Sequence, residues 1–299
     1  YNLLDKTLRV PIKSGQKKLN FYEQRVVVHE LVHSLQGMHF EVSEWYQEMD
    51  DLDDFSNYPG IRALMEAQAE WVEAKWIDSL DAYDRQTMQA QIPNISCRVQ
   101  LPNYFYIPSD LYYTYGPILS REIINKGKMA ALNEALGEYK RTGLTNLPTS
   151  EQIYSSEKYF ANERYDVIEI ADVEIGNFEL IDEGTIGSLD IVYLLQDTIG
   201  PIPAITAAVG IGGGSWKDYV DPSGNLVMTV KISGDTSADL DEIYDAYILW
   251  GDTQKRFTEV VEQYNGLIYK GSTNVWISKQ NGFVKMVLSQ DLNIIDEIS

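Results

Sequence analysis

Residues 26–40, VVVHELVHSLQGMHF, hold all three histidines of a 299-residue chain. His29 and His33 are four residues apart, and Glu30 directly follows the first. From Phe21 to Phe40 there is no proline and no glycine before Gly37, and apolar residues recur at helical spacing, as at Val27, Leu31 and Leu35, so the segment reads as an α-helix. Residues i and i+4 share one face of a helix, which lets both imidazoles point at one atom. Zinc–nitrogen bonds of about 2.0–2.1 Å demand that convergence, and a carboxylate beside the first ligand can approach a water on the open side of the metal. Val26, Val27, Leu31, Val32 and Leu35 make the uncharged, apolar helix such a site is built into. His39 is out of phase with the other two and reads as structural.

Two histidines leave a zinc ion short of a ligand, and no further histidine is available. The one cysteine, Cys97, sits in an isolated ISCRV context and reads as a small buried hydrophobe. A carboxylate is therefore expected, and residues 63–76, ALMEAQAEWVEAKW, offer Glu66, Glu70 and Glu73. Glu66 is the preferred ligand. Glu70, one helical turn on, is then placed to bond a ligand histidine and fix its tautomer, while Glu73 reads as part of a solvated face.

Composition narrows the function classes. With 44% hydrophobic residues, the chain can bury a substantial core in one large domain or two smaller ones. Its 45 acidic against 24 basic residues give a formal charge of -21, which repels nucleic acid phosphates and anionic lipid, so neither is an expected partner. A single cysteine cannot form an internal disulfide and leaves the compartment open. No apolar run reaches the ~18 residues a bilayer span needs, so no membrane insertion is expected in this chain. The sequence starts at Tyr1 rather than Met. With the acidic balance, this sets the expectation of a leader or upstream segment and an extracellular or cell-surface location, with cell-surface association.

Outward from the histidines, a β-like TLRVPI precedes the first helix, and an acidic loop, QEMDDLDDFSNYPG, follows it. The carboxylate spacing of that loop does not match an EF-hand, and it reads as solvated. A second helix is expected from near Pro59, capped by Ser56 or Asn57, through IRALMEAQAEWVEAKWIDSLDAY. Further helices are expected at SDLYYTYGPILSREIINKG and KMAALNEALGEYKRTG, and LPTSEQIYSSEKYF reads as a turn into a short helix. From about Tyr165 the texture changes. YDVIEI, NLVMTVKISG, GLIYKG, NVWISKQ and FVKMVLSQ read as strands, with DPSGN and KQNG as hairpin turns. SLDIVYLLQDTI and SADLDEIYDAYILWGDTQKRFTEVVEQY read as helices between them. The expected fold class is α+β: a mainly helical region over 1–164 carrying the zinc site, and a mixed α/β region over 165–299 packed against it and integrated with it.

The sequence resembles the gluzincins, the thermolysin-like zinc metallopeptidases, in having His-Glu-x-x-His followed some tens of residues later by a glutamate on a second helix. It is closer to a prokaryotic family of predicted metallopeptidases that reads roughly H-E-L-x-H-A-L-Q-D-Q-H-F, L-x-E-G-D-A, P-Y-x-x-G and P-x-S-T-E-Q-I-L-H-P-E-K-Y. The corresponding stretches here are HELVHSLQGMHF, LMEAQAEW, YYTYGPIL and LPTSEQIYSSEKY, covering about residues 20–160. A weaker similarity runs through AAVGIGGGSWKDYV and the helix ending YDAYILW. The resemblance implies His29, His33 and Glu66 as ligands and Glu30 as catalytic base, the same four residues that helix spacing and ligand chemistry single out. It also departs from the pattern: Ala67 and Gln68 replace Gly-Asp, Ser155 stands at the histidine of I-L-H-P, and Tyr112 replaces a proline, leaving Tyr113 and Gly116 in register.

The expected function is hydrolysis of peptide bonds in a peptide or protein substrate by zinc-activated water, with Glu30 as general base. The oxyanion needs a donor, and with no spare histidine Tyr113, Tyr115, Tyr159 or Arg121 must supply it, Tyr113 being preferred. GIGGG, residues 210–214, lacks the lysine and context of a phosphate loop and reads as a flexible turn. The alternative is a cell-surface or assembly protein that keeps a structural zinc site with little or no catalysis. A third is a zinc hydrolase acting on a non-peptide amide or ester.

Overall fold

The computed structural model describes residues 7–10, 15–51, 58–93 and 106–298. Cys97 and the Ser56/Asn57 cap lie outside them. Two compact units divide in sequence between Pro148 and Thr149.

The first unit is helical. It comprises α1 (Phe21–His39), α2 (Val42–Asp51), α3 (Tyr58–Ser79), α4 (Ala82–Ala90), α5 (Ile107–Asp110), a π-helical turn over Leu111–Tyr115, α6 (Gly116–Leu136) and α7 (Glu138–Thr142). Helix α1 starts at a capping box: the Asn20 side chain accepts from the Glu23 N–H, and the Glu23 carboxylate accepts from the Asn20 N–H. Helix α3 packs against both α1 and α6, with Ile61, Leu64 and Ala69 fully buried. Val32 of α1 is buried, but Val26, Leu31 and Leu35 are exposed, so the apolar character of α1 is only partly spent on the core. The expected acidic loop is shorter than its composition suggests, because residues 47–51 continue α2, which Val42 and Trp45 anchor by complete burial. The expected second helix breaks at Leu80, and α4 begins afresh with Asp81 accepting from the Asp84 N–H. TLRVPI contributes only an isolated bridge at Thr7, and residues 11–14 are outside the described set.

The second unit begins with α8 (Ser150–Tyr154) and α9 (Ser156–Ala161), followed by β1 (Glu179–Ile186), α10 (Ser188–Ile199), α11 (Pro201–Val209), β2 (Ile211–Val220) and β3 (Leu226–Gly234). Then come α12 (Ser237–Thr253), β4 (Glu259–Gln263), β5 (Gly266–Lys270), β6 (Asn274–Gln280), β7 (Phe283–Ser289) and α13 (Leu292–Ile298). The seven strands form one sheet in the order β1-β2-β3-β7-β6-β5-β4, antiparallel at every pairing. Helix α12 packs on β2, β3, β6 and β7. Val227, Trp276 and Val287 belong to a core cluster completed by Ile175 and by Ile295 of α13. The chain is thus α+β as expected, with a helical first unit and an antiparallel sheet interleaved with helices in the second.

Differences from the sequence reading have local causes. The units divide before α8 rather than near Tyr165, because the Tyr165 hydroxyl gathers Ser150 Oγ, the Glu151 N–H and the Ser188 N–H, tying α8 to α10. YDVIEI is extended but joins no strand ladder; its one backbone bond to the sheet in this stretch is from the Asp166 N–H to the Gly212 carbonyl. The helix expected over 237–264 stops at Thr253, and EVVEQ becomes edge strand β4. GIGGG is the entry to β2, not a turn. A Cβ on Gly213 would lie 2.3 Å from the Asp166 carbonyl oxygen, so glycine there answers a backbone crossing rather than a need for flexibility. Strand β1 and helix α11 carry weak sequence signals: β1 is mostly solvent-facing, and α11 is short and opens on proline.

Candidate metal centre

Helices α1 and α3 run antiparallel at the site, as rising residue numbers on α1 meet falling numbers on α3. Arg25 and His29 meet Glu73, His29 and His33 meet Glu66, and Gln36 meets Met65. Each set recurs at about one turn, so one face of each helix supplies the whole constellation.

Three ligand atoms close into a triangle. His29 Nε2 lies 3.2 Å from Glu66 Oε2, His33 Nε2 lies 3.4 Å from the same oxygen, and the two imidazole nitrogens are 3.1 Å apart. Ligands at about 2.0–2.1 Å in tetrahedral arrangement stand about 3.3 Å from one another. The three donors therefore fit one face of a zinc tetrahedron, leaving a fourth position open. Two neutral imidazoles and a carboxylate are the donor set of catalytic zinc sites, and no cysteine is among them.

Around the triangle, each histidine has a second partner. His29 Nδ1 is 3.3 Å from Glu73 Oε2, and Arg25 Nε donates to the other oxygen of that carboxylate at 2.6 Å. His33 Nδ1 is 2.8 Å from Gln36 Oε1. Glu73 is thus the carboxylate that orients a ligand histidine, not Glu70, and it is buried rather than solvated. The reason is helical phase. Seven residues at 100° each return to within about 20° of the starting direction, whereas four overshoot by about 40°. Glu70 is half-buried, and burial followed by the nearby Glu73 charge raises its pKa.

Without a cation, the electrostatics are those of a tight ion cluster. Hydrogen bonding to Glu66 and then Glu73 outweighs desolvation and raises His29 to about 9. Burial works against the charged form of Glu66, yet the bond from His29 and the nearby His33 ring hold it well below the usual carboxylate range. The Tyr113 hydroxyl donates to Glu66 Oε2 at 3.1 Å, and burial followed by the Glu66 charge pushes its pKa up to about 12. That phenol therefore stays protonated, and a donor, across the physiological range.

The sequence-derived residues distribute as follows. His29, His33 and Glu66 converge, and Tyr113 joins them from the π-helical turn. Glu30 is half-buried on α1, next in sequence to His29. His39 is exposed in the last turn of α1 and is not a member of the triangle. Arg25 and Gln36 escaped the sequence reading, although Arg25, His29, His33 and Gln36 share one helical face, and Glu73, two turns from Glu66, reads in sequence as part of a solvated face.

A second acidic group, Glu151, Glu163 and Asp235 in the other unit, converges on the Lys158 ammonium. That lysine already supplies a cation at its centre. Compared with protein-family models, curated proteins and solved structures, the chain matches none.

Proposed function

We propose that the protein is a zinc-dependent peptidase of the gluzincin type. The observation that carries this reading is the convergence of His29 Nε2, His33 Nε2 and Glu66 Oε2 at tetrahedral spacing, with Glu30 one residue from the first ligand. The motif resemblance over about residues 20–160 points the same way. Zinc bound there would supply a Lewis acid that polarises a carbonyl and lowers the pKa of water to about 7. The chain's own residues do the rest. Glu30 accepts the proton of the attacking water on its carboxylate and returns it to the departing amine nitrogen. Tyr113 turns its O–H from Glu66 toward the oxyanion that develops on the former carbonyl oxygen. Glu73 and Gln36 hold the imidazole rings so that both Nε2 lone pairs face inward. Peptide or protein chains are the proposed substrates, and an exported or cell-surface setting suits the charge of -21.

The test compares wild type with Glu30→Gln for digestion of a fluorescence-quenched unfolded protein, with zinc content measured for both. Expected are about one zinc per chain in each, cleavage by wild type alone, and loss of that cleavage with chelator. Equal zinc with no cleavage by either would favour a structural metal site, and cleavage retained by Glu30→Gln would remove Glu30 as the base.

A further inference from the structure

We propose that Gln36 is the positioning residue for His33, and that a chain of carboxamides, running from the buried Gln36 and Gln68 to the exposed Asn133 on α6, holds it in the one orientation that serves a metal. This rests on the zinc reading above and extends it to residues outside the ligand set.

One group beside Gln36 can only accept. The Gln36 side-chain nitrogen lies 2.9 Å from the Met65 backbone carbonyl, on the residue before the ligand Glu66. A carbonyl oxygen cannot donate, so the atom facing it must be the amide NH2. The other end of Gln36 is then its oxygen, and it lies 2.8 Å from His33 Nδ1. An oxygen there requires an imidazole proton on Nδ1, which leaves the Nε2 lone pair for a cation held between it, His29 Nε2 and Glu66 Oε2. One backbone carbonyl thus selects the histidine tautomer.

The same polarity propagates outward. The second hydrogen of the Gln36 amide goes to Gln68 Oε1 at 2.9 Å, so the Gln68 NH2 faces Asn133 Oδ1 at 2.6 Å. Gln36 is 1% exposed and Gln68 6%, so water does not compete for the bond between them, and reversing either amide would set like atoms against each other, whereas Asn133 is exposed and closes the chain at the surface. The three carboxamides come from three helices. Asn133 lies on the part of α6 that follows a break at Gly127 and Lys128, so the relay also fixes that segment against the helix carrying Glu66. His29, by contrast, is backed by a carboxylate. The two ligand histidines are therefore unequal: His29 leans on an anion shared with Arg25, and His33 on a neutral amide whose only task is direction.

The test uses the full chain with 15N-labelled histidine, whose three residues give a readily assigned spectrum. Wild type, Gln36→Met and Gln68→Met are compared for the tautomer of His33 without metal and for zinc affinity by chelator competition. Wild type is expected to hold the His33 proton on Nδ1. In Gln36→Met a mixture of tautomers and roughly a 10–100-fold weaker zinc affinity are expected. Gln68→Met, which leaves the Met65 and His33 contacts of Gln36 in place, is expected to show a smaller loss in the same direction, and it carries the test if Gln36→Met does not fold. A His33 proton on Nε2 in wild type, or wild-type tautomer and affinity in both variants, would overturn the proposal. If wild type takes no zinc but shows the Nδ1 proton and Gln36→Met loses it, the positioning role stands and the zinc reading falls.

Discussion

Glu73 and Glu151 show how far a residue's neighbours can move it from its surface reading. Glu73 looks like one more charge on a helix rich in glutamate, yet it lies buried between Arg25 and His29. Glu151 is 1% exposed, and burial, only partly offset by Lys158, pushes its pKa up to about 8 from an ordinary 4.5. Its folded form therefore keeps a proton that the unfolded chain releases. Between about pH 4.5 and 8 the folded state binds more protons, so this residue's contribution to stability falls as pH rises through that window and levels off above it. Glu151→Gln should have a flatter profile than wild type, with a higher melting temperature at pH 8 and no comparable gain at pH 5. Melting curves of the two proteins across that range check this; parallel profiles would show that Glu151 ionises normally.

Helix packing explains a motif that residue chemistry leaves open. Gly116 closes the pattern that begins at Tyr113, and a Cβ there would lie 2.6 Å from the Ala63 carbonyl oxygen and 3.2 Å from the Ala63 Cβ. Glycine is what lets α6 approach α3, three residues before Glu66, the proposed ligand. The π-helical turn just ahead, whose Gly116 N–H reaches the Leu111 carbonyl, presents Tyr113 to Glu66. Gly116→Ala must force these helices apart, at a cost of about 1–3 kcal/mol as overpacking usually exacts. It should lower the denaturation midpoint and weaken zinc binding together, read by urea unfolding and chelator competition. A midpoint equal to wild type would mean that α6 yields without strain. Sequence periodicity located the starts of α1, α3 and α12 well because each is long, but it ran the last two past their ends at Ser79 and Thr253. It missed β4, because EVVEQ continues the polar character of the helix before it, and it missed β2, because four glycines in GIGGG look like punctuation.

Across the chain, 45 acidic residues against 24 basic ones leave a net charge of -21, and folding brings those charges closer together. Several basic residues are already committed: Lys158 to Glu163 and Asp235, Lys217 to Asp172 and Glu183, and Arg25 to Glu73. The remaining repulsion is long-ranged and screened by salt, with a Debye length of about 30 Å at 0.01 M and about 8 Å at 0.15 M. Raising sodium chloride over that interval should raise the melting temperature. A falling melting temperature would show that local ion pairs outweigh the global repulsion. Among the described residues, no helix is long and apolar enough to cross a membrane.

The amino-acid order alone carried what depends on near neighbours. The i, i+4 pair of histidines and the glutamate beside the first follow from spacing within one helix, the preference for Glu66 from the donor those histidines leave missing, and the α+β class from the order of local patterns along the chain. Which glutamate backs His29, which way the Gln36 amide points and why Gly116 must lack a side chain depend on partners 29 to 53 positions away, brought together by helix packing. Local periodicity places a side chain on a face of its own helix. It does not say which face of which other helix will lie opposite, and here that pairing set burial and charge.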